Sequence, residues 1–460
     1  MSEAPQPEAA VEEDVYVLTD EFVRDVRDAL DAEDMAAVSA LIEPLHAADL
    51  ADLVELVNRS ERKALVDLIA PRLDPEMLSH LDEAVRDEVV DQLEPEQIAA
   101  AVTELDTDDA VYVVEDLDPE TQRAVLDAVP EEDRTQLQES LEYDEDTAGR
   151  LMQRELISVP EFWTIGQTID FMRESEDLPD EFYEIFVVDP AHRPVGTVAL
   201  NRAMRTKRPV VVSEIMNADV KTVPVEMEQD DVAHLFRQYD LLSAPVVDGS
   251  GRVIGVIMVD DIVDVIDEEA EEDILRLGGI VDDDLNAGIV RTTRSRFTWL
   301  AVNLITAIVA SMVIGLFEAT IDQMVALAVL MPIVASMGGN AGTQTMTIAV
   351  RSLATHELTA ANAWRLFNKE TLVGLANGGL FALLVGVAAF VWFGDPMLAG
   401  VIAAAMVINM LAAGVAGIAV PLALERLGID PAVASSVFVT TITDVIGFFA
   451  FLGLAALVLL

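Results

Sequence analysis

Residues 431–460 read PAVASSVFVTTITDVIGFFAFLGLAALVLL, thirty positions with a single charge, Asp444. A helix crosses the hydrocarbon core of a bilayer with about 20 apolar residues, so this stretch predicts a transmembrane helix with Asp444 near its middle. Insertion scales put the cost of a carboxylate at that depth at roughly 2.5 kcal/mol or more. A protonated aspartate, hydrogen-bonded inside a helix bundle, would fit the pattern. We favour a cation site or a proton relay, because the predicted spans contain no Lys or Arg that could pair with Asp444.

Four further charge-free runs precede this stretch. They lie between Arg296 and Glu318, Asp322 and Arg351, Glu370 and Asp395, and Asp395 and Glu425. Each is long enough to span a bilayer, so residues 295–460 are predicted to form an all-α transmembrane domain of five helices. The flanking basic residues all fall on one side: Arg291, Arg294, Arg296, Arg351, Arg365, Lys369 and Arg426. This bias predicts a multi-pass protein of the cell membrane with a cytoplasmic N-terminus and its C-terminus outside.

The second predicted span, MPIVASMGGNAGTQTMTIAV (331–350), carries a polar stripe. Five polar residues recur at three- and four-residue spacing and therefore share one helix face: Ser336, Asn340, Thr343, Gln344 and Thr347. Packing of small residues between membrane helices explains the neighbouring Gly338, Gly339 and Gly342. It explains the five polar groups less well. In the fifth span, Ser436, Thr440, Thr441 and Thr443 are predicted to lie on the side of Asp444.

Charge divides the chain into two unlike parts. Residues 1–290 hold 21 Lys or Arg and 74 Asp or Glu, a net charge of −53, whereas residues 291–460 hold 7 and 8, a net charge of −1. So acidic a surface excludes general nucleic-acid binding, which needs Lys and Arg to contact phosphates. It is typical of proteins adapted to high salt, and it also provides carboxylates that could bind cations. The chain has no Cys, which excludes thiolate metal sites.

The region before residue 141 is predicted to be helical. Residues 1–19 form an acidic lead that lacks the basic and apolar segments of a signal peptide, and we expect it to be disordered. In residues 20–140, LDPE (73–76), LEPE (93–96) and LDPE (117–120) each place a proline in the first turn of a helix. The repeat of 20–24 residues predicts short helices stacked into a superhelix. We interpret this domain as a scaffold or interaction domain.

Two α/β units follow, over residues 141–209 and 210–263. The second is the clearer: VKTVPV, APVVD and VIGVIM are predicted strands, and QDDVAHLFRQYD and VDDIVDVID are predicted helices. Paired units of this kind resemble tandem CBS domains, which often bind adenine nucleotides through a hydroxyl and an Asp after the last strand. Here the hydroxyl position holds Ala199 and Met258, and Asn201 replaces one Asp. ATP binding therefore stays open.

A strongly acidic helix is predicted to connect the second unit to the first span, over residues 264–294. The acidic run comprises Asp260, Asp261, Asp264, Asp267, Glu268, Glu269, Glu271, Glu272 and Asp273. Residues 261, 264, 268 and 272 share one helical face, and like charges on one face repel each other. Carboxylate oxygens suit Mg²⁺ or Ca²⁺. A solvated acidic helix is the simpler interpretation; a divalent cation that relieves the repulsion is the functional one.

Over essentially its whole length the chain resembles the MgtE family of magnesium channels. The domain order agrees: helical N-domain, CBS pair, connecting helix and five spans. The specific motifs are Pro332 with GGNAGTQ (338–344), and TTITDVIGF (440–448). The resemblance implies a homodimer with a pore along its two-fold axis, formed by spans two and five. Asp444 would be the main pore ion site, and the pore-lining residues would be Gly338, Gly339, Asn340, Ser436 and Thr440.

The resemblance also implies regulation. Mg²⁺ bound among the N-domain, CBS units and connecting helices would close the pore when cytoplasmic Mg²⁺ is high. The positions that match acidic sensor residues are Glu228, Asp230, Asp240, Asp261, Asp264, Glu269, Glu272 and Asp273.

The expected function is thus a Mg²⁺ importer of the channel type, closed by cytoplasmic Mg²⁺. One alternative is a secondary exchanger that couples Mg²⁺ or another divalent cation to Na⁺ or H⁺. Another is a membrane-anchored CBS sensor without transport. An enzyme is not expected, since the chain has no phosphate-binding loop, no Cys nucleophile and no metal-ligand spacing among its five His residues.

Overall fold

The structure is a computed structural model that describes residues 18–175, 178–179, 182–280, 289–359 and 361–459; of Arg291 it describes the backbone alone. The predicted acidic lead lies outside these residues except for positions 18 and 19, as does part of the predicted connecting segment. The chain divides into two compact units, one ending at Asp267 and the other beginning at Glu268.

The first unit begins with ten short helices: Asp20–Asp31 (α1), Met35–Ile42 (α2), Ala47–Leu56 (α3), Arg59–Ile69 (α4), Glu76–Ser79 (α5), Glu83–Val90 (α6), Pro95–Glu104 (α7), Thr107–Glu115 (α8), Pro119–Ala128 (α9) and Glu131–Leu141 (α10). Pro95 and Pro119 are the first helical residues of α7 and α9, as the repeat predicts. The first repeat differs, because Pro75 precedes a helix of only four residues. The helical N-domain that the sequence predicts is confirmed.

Buried arginines order the middle of this helical domain. The guanidinium of Arg86 donates to Asp116 at 2.5 Å and lies 3.6 Å from the ring centroid of Tyr112. Arg62 is also buried; it donates to Glu88 at 2.7 Å and to the carbonyl oxygen of Val54 at 2.9 Å. Buried charges are tolerated when they are paired and hydrogen-bonded in this way.

Two three-stranded sheets follow in the same unit. The first α/β unit contains Ala148–Leu151 (α11), Ser158–Pro160 (β1), Ile165–Glu174 (α12), Glu184–Val188 (β2), Pro194–Ala199 (β3), Leu200–Arg205 (α13) and Val212–Ile215 (α14). The second α/β unit contains Val223–Pro224 (β4), Gln229–Tyr239 (α15), Ser243–Val247 (β5), Val253–Met258 (β6) and Val259–Leu277 (α16). In each sheet the first strand is parallel to the second, and the second is antiparallel to the third. The predicted tandem α/β pair is confirmed. The turn 248–251 ends at Gly251 with φ +81°, a conformation that favours glycine.

The second unit contains the end of α16 and six further helices: Ile289–Gly315 (α17), Glu318–Gln323 (α18), Ala326–Ala354 (α19), Ala363–Phe393 (α20), Pro396–Arg426 (α21) and Pro431–Val458 (α22). Within the described residues, five of them (α17, α19, α20, α21 and α22) are long and apolar enough to cross a membrane. This number confirms the predicted five-span domain.

Small residues let the spans approach closely. A Cβ atom on Gly374 of α20 would lie 2.7 Å from the carbonyl oxygen of Met410 on α21, and one on Gly414 of α21 would lie 2.8 Å from the carbonyl oxygen of Glu370. Likewise, a Cβ on Gly342 of α19 would lie 2.6 Å from Val439 of α22. Such backbone approach drives helix association in membranes, where lipid removes the hydrophobic driving force.

Candidate functional site

Asp444 occupies the centre of α22, 13 residues after Pro431 and 14 before Val458. Ser436, Thr440 and Asp444 follow each other at four-residue steps and therefore share a helix face. In the single chain Thr440 is exposed, and Ser436 and Asp444 are half-buried. Thr443, turned by about 100° from Asp444, is fully buried beside Gly342 of α19. The face that carries Asp444 is thus partly open in the single chain.

The polar stripe of α19 is also open. Ser336, Asn340, Thr343, Gln344 and Thr347 are all exposed in the single chain, although they lie within a predicted span. Lipid tails offer no hydrogen bonds, so polar side chains in a span normally face protein or a water-filled cavity. This face is therefore suited to a second protein surface or to water.

The glycines beside Asn340 have different surroundings. Gly338 is buried against α21, and a Cβ there would clash with the Nδ2 atom of Asn409. Gly339 has open space at its Cβ position. Of the residues expected to line a pore, Asn340, Gly339, Ser436 and Thr440 are accessible from outside the chain, whereas Gly338 packs inside it.

In the first unit, the predicted sensor residue Asp261 meets acidic residues of the N-domain, and the predicted sensor residue Asp264 interacts with His80 of that domain. Asp261 of α16 lies close enough to Asp108 and Asp109 of α8 that their charges interact. Burial, with Asp260, Asp109 and Asp264 adding repulsion, raises the pKa of Asp261 to about 8. The other titratable groups whose charges act on Asp108, Asp109 or Asp264 are Asp106, Asp260, Asp267, Glu76 and His80.

The carboxyl groups of α8 also have raised pKa values, because they are buried and lie near other carboxylates. Burial first, then the charge of Asp261, raises the pKa of Asp108 well above its usual range. Burial and the charge of Asp106 raise the pKa of Asp109 to about 6, although His80 opposes the shift. Close carboxylates that resist ionisation are the arrangement that a divalent cation would stabilise, since its charge offsets their repulsion. We call Asp108, Asp109, Asp260, Asp261 and Asp264 the α8–α16 cluster.

Three contacts hold α8 and α10 against the segment that enters the first α/β unit. Thr107 Oγ1 donates to Glu155 at 2.7 Å, so that carboxylate caps the N-terminus of α8. At the other end of α8, Arg150 donates to Glu115 at 2.9 Å. Arg154 donates to Glu139 of α10 at 3.1 Å. Burial raises the pKa of Glu115 to about 7, against the opposing effect of Arg150.

The sequence interpretation missed Asp108, Asp109 and His80. No local signal distinguishes them, because acidic residues in the first turn of a helix are common and this chain has 82 Asp and Glu residues. Their position opposite α16 arises only from the fold, 152 or more positions along the chain from Asp261.

Three other predicted sensor residues lie in the second unit, on the last turns of α16. Arg276 donates to Glu272 at 2.5 Å and lies 3.2 Å from Asp430, the residue that caps α22. Burial, then the charges of Asp430 and Glu269, raise the pKa of Asp273. Leu277 packs against a buried cluster of residues from α19 and α22: Met346, Val350, Ala432 and Val439. The end of α16 thus contacts both helices that carry the open polar faces.

The remaining predicted sensor residues are separate from these clusters in the single chain. Glu228 and Asp230 are exposed at the start of α15. Asp240 ends the same helix in the left-handed conformation, with φ 52°. Ala199 and Met258 lie at the ends of β3 and β6, as the comparison with nucleotide-binding CBS units expects.

The pKa values of the α8–α16 cluster predict how its contact depends on pH. A carboxyl whose pKa is raised in the folded state stabilises that state while protonated, and the stabilisation is lost as pH rises towards the raised pKa. We therefore expect α8 and the first turns of α16 to lose hydrogen-exchange protection as pH rises from about 4, near the usual carboxyl pKa, to pH 8 in the absence of divalent cations. Millimolar Mg²⁺ should restore it at pH 8, by about tenfold in corrected rate, and change it little near pH 4. Mass-spectrometric exchange on the full chain in nanodiscs measures this; protection independent of pH would contradict it.

Comparison with known proteins agrees with this architecture. The family model described as divalent cation transporter matches residues 331–454, the MgtE intracellular N domain matches 45–146, and the CBS domain matches 148–206 and 212–268. The magnesium transporter MgtE of Thermus thermophilus is 37% identical over 321 residues, which cover 69% of this chain and 71% of that protein. The magnesium transporter MgtE of Enterococcus faecalis is 32% identical, with 70% and 71% covered.

Among solved structures, the cytosolic domain of the Mg²⁺ channel MgtE in complex with ATP is 31% identical, with a TM-score of 0.48; it covers 53% of this chain and 99% of that structure. The identity to the Thermus thermophilus protein extends over more than two thirds of both chains and agrees with all three family models. From this we conclude that the chain is a multi-pass membrane protein and belongs to the MgtE family of magnesium transporters.

Proposed function

We propose that this chain forms a homodimeric, channel-like importer of Mg²⁺ that cytoplasmic Mg²⁺ closes. The observation that carries the proposal is the open polar face of α19 beside the open face of α22 that holds Asp444. Polar groups on an open face of a span need a partner other than lipid. A second copy of the same chain, related by a two-fold axis, would place two such faces opposite each other.

The chemistry of these faces suits a hydrated divalent cation. Mg²⁺ sheds its water reluctantly and is usually held through one or two carboxylates with several waters retained. Asp444 from each subunit would supply the charge, and Asn340, Thr440 and Ser436 would supply hydrogen-bonding groups for the retained water. Weak, outer-sphere binding of this kind allows an ion to enter and to leave again.

The α8–α16 cluster supports the regulatory part of the proposal. Without a cation, its crowded carboxylates oppose the contact between α8 and α16; a bound Mg²⁺ would favour it. Helix α16 then continues to Leu277 and Arg276, which contact the ends of α19 and α22. Mg²⁺ bound at the cluster would thus favour one arrangement of α19 and α22, the helices that carry the ion path. We propose an orientation with the first unit in the cytoplasm and the C-terminus outside.

Flux into proteoliposomes tests the proposal. Purified protein is reconstituted with a Mg²⁺-sensitive dye in the lumen, and uptake is followed at an imposed potential with low or millimolar Mg²⁺ on the cytoplasmic face. At 100 mV the potential contributes about 4.6 kcal/mol for a divalent ion. We expect uptake at low cytoplasmic Mg²⁺ and suppression at millimolar Mg²⁺.

Each other outcome has a distinct meaning. Uptake that does not depend on cytoplasmic Mg²⁺ would support the proposed ion path and contradict the proposed sensor. Uptake that requires a Na⁺ or H⁺ gradient, without current driven by the potential, would indicate an exchanger. Absence of flux under every condition would favour a membrane-anchored sensor.

A further inference from the structure

A buried amide lies where α19, α21 and α22 meet. Asn409 is fully buried near the middle of α21, and it is the sole polar side chain of that helix before Glu425. Its Nδ2 atom donates to the carbonyl oxygen of Val334 on α19 at 2.8 Å. Within the described part of the chain, its buried Oδ1 atom has no hydrogen-bond partner.

Two glycines make room for this amide, one on each helix that carries a polar face. A Cβ on Gly338 of α19 would clash with Nδ2 of Asn409, and a Cβ on Gly447 of α22 would lie 2.7 Å from the same atom. Both contacts are too close for any residue with a side chain to keep this arrangement. The amide therefore lies between the two backbones and fixes how closely α19 and α22 approach α21.

This contact also fixes the rotation of both helices. Successive residues of a helix are turned by about 100°, so Asn340, two positions after Gly338, points about 200° away from the amide. That direction is the open polar face. Asp444 precedes Gly447 by three positions and is turned by about 60° from it, which leaves Asp444 at the edge of the packed interface and half-buried.

An apolar residue at this position would leave no polar group to satisfy. Leucine has the branched shape of asparagine and would leave no unpaired oxygen inside the membrane, although its two methyl groups make it larger, whereas Asn409 keeps a buried Oδ1 atom without a partner. A polar group that is only partly satisfied contributes little to stability. It does specify one arrangement of its neighbours, because only one geometry gives Nδ2 its acceptor.

We propose that Asn409 is a positioning residue for the ion path: it sets the spacing and rotation of α19 and α22, and thereby the geometry with which Asn340 and Asp444 meet a hydrated cation. This inference rests on the proposed function. The consequence is selectivity, since Mg²⁺ requires a near-ideal octahedral shell and Ca²⁺ accepts six to eight ligands in a flexible one.

The test compares Asn409→Leu with the unchanged protein in proteoliposomes. We expect the variant to fold with nearly unchanged thermal stability, because removal of the unpaired oxygen offsets the strain of a larger side chain between Gly338 and Gly447. The ratio of Ca²⁺ to Mg²⁺ flux should rise about fivefold or more, and the half-saturating Mg²⁺ concentration should rise as well. Gly447→Ala, which pushes against Nδ2, should change the flux ratio in the same direction. Gly400→Ala on the same α21, where a Cβ meets open space, is the matched control and should change neither quantity.

A readout without transport separates this inference from the proposed function. The chain has no Cys, so a single cysteine at Asn340 can be labelled with a membrane-impermeant thiol reagent. Its labelling rate should change about fivefold when Asn409→Leu is added. If Asn409→Leu does not fold, the pair Asn409→Ala with Gly338→Ala fills the space without the hydrogen bond and should give the same two effects.

Unchanged labelling together with an unchanged flux ratio would overturn the positioning role. Changed labelling in a protein that conducts no Mg²⁺ would keep the positioning role and reject the proposed function.

Discussion

Replacing Asp444 with alanine is expected to reduce Mg²⁺ uptake by at least about a hundredfold. Interactions with a charged group contribute about 1.5–3 kcal/mol each, and a dimer would lose two carboxylates at the centre of the ion path. At 1.4 kcal/mol for each factor of ten, the loss exceeds a factor of about one hundred. The polar groups that remain on α19 and α22 carry no net charge to stabilise a divalent ion at mid-membrane.

The Asp444 variants can be made without endangering the fold. Removing a carboxylate from a span eases insertion, so Asp444→Ala should elute from a sizing column as the unchanged protein does. Asp444→Asn should be as inactive as alanine, and Asp444→Glu should keep partial uptake because it keeps the charge. Glu318→Gln, in the exposed helix α18 outside the spans, is the matched control for charge and should conduct normally. Uptake within a factor of two of normal in Asp444→Ala would contradict an ion path at Asp444.

The second large effect is expected at the α8–α16 cluster. Asp261→Asn should raise the cytoplasmic Mg²⁺ concentration that half-suppresses uptake by about tenfold or more, which corresponds to about 1.4 kcal/mol of lost binding free energy. Asparagine removes the negative charge that opposes Asp108 and also a charged oxygen ligand for the cation. The dependence of suppression on pH between 6 and 8 should weaken too, since the pKa of Asp261 is raised to about 8.

A double-mutant cycle makes this prediction specific. If Asp108 and Asp261 bind the same ion, Asp108→Asn combined with Asp261→Asn should cost less than the sum of the single changes. Glu271→Gln, an exposed carboxylate on the same helix α16, controls for the loss of one charge from a very acidic protein. Additive effects of the two aspartate substitutions would contradict a shared ion. So would an equally large shift of the half-suppressing Mg²⁺ concentration in Glu271→Gln, since the cluster would then act only as part of the general acidic surface. Both sets of measurements need one fixed ionic strength, because salt screens the repulsion.

The two predictions concern the same ligand chemistry in different surroundings. At Asp444 the carboxylate lies in a span, where an ion must bind weakly enough to leave. At the α8–α16 cluster several carboxylates interact with one another, so a bound ion would meet more negative charge. In this proposal the ion path and the sensor use the same kind of ligand, and they differ in the number of carboxylates that come together.

Much of the architecture follows from the sequence alone. The five spans, the tandem α/β pair and the helical N-domain are all encoded locally, because each depends on hydropathy or periodicity within a single segment. The polar face of α19 could likewise be identified in advance, since a spacing of three and four residues places Ser336, Asn340 and Thr347 on one side of any helix. The position of Asp444 at mid-span follows from counting residues.

The partners that these residues meet depend on how distant parts of the chain pack. Nothing in the sequence separates Gly338, which packs against Asn409, from Gly339, which has open space beside it, because both lie in the same GGN segment. Nor does it single out Asp108 and Asp109 among 82 acidic residues as the ones that face Asp261. Such pairings join positions far apart in the chain, and a local pattern carries no information about the surface against which a helix will pack. Local sequence establishes which faces are polar or apolar, whereas the packing of distant segments establishes which of those faces are covered, and by what.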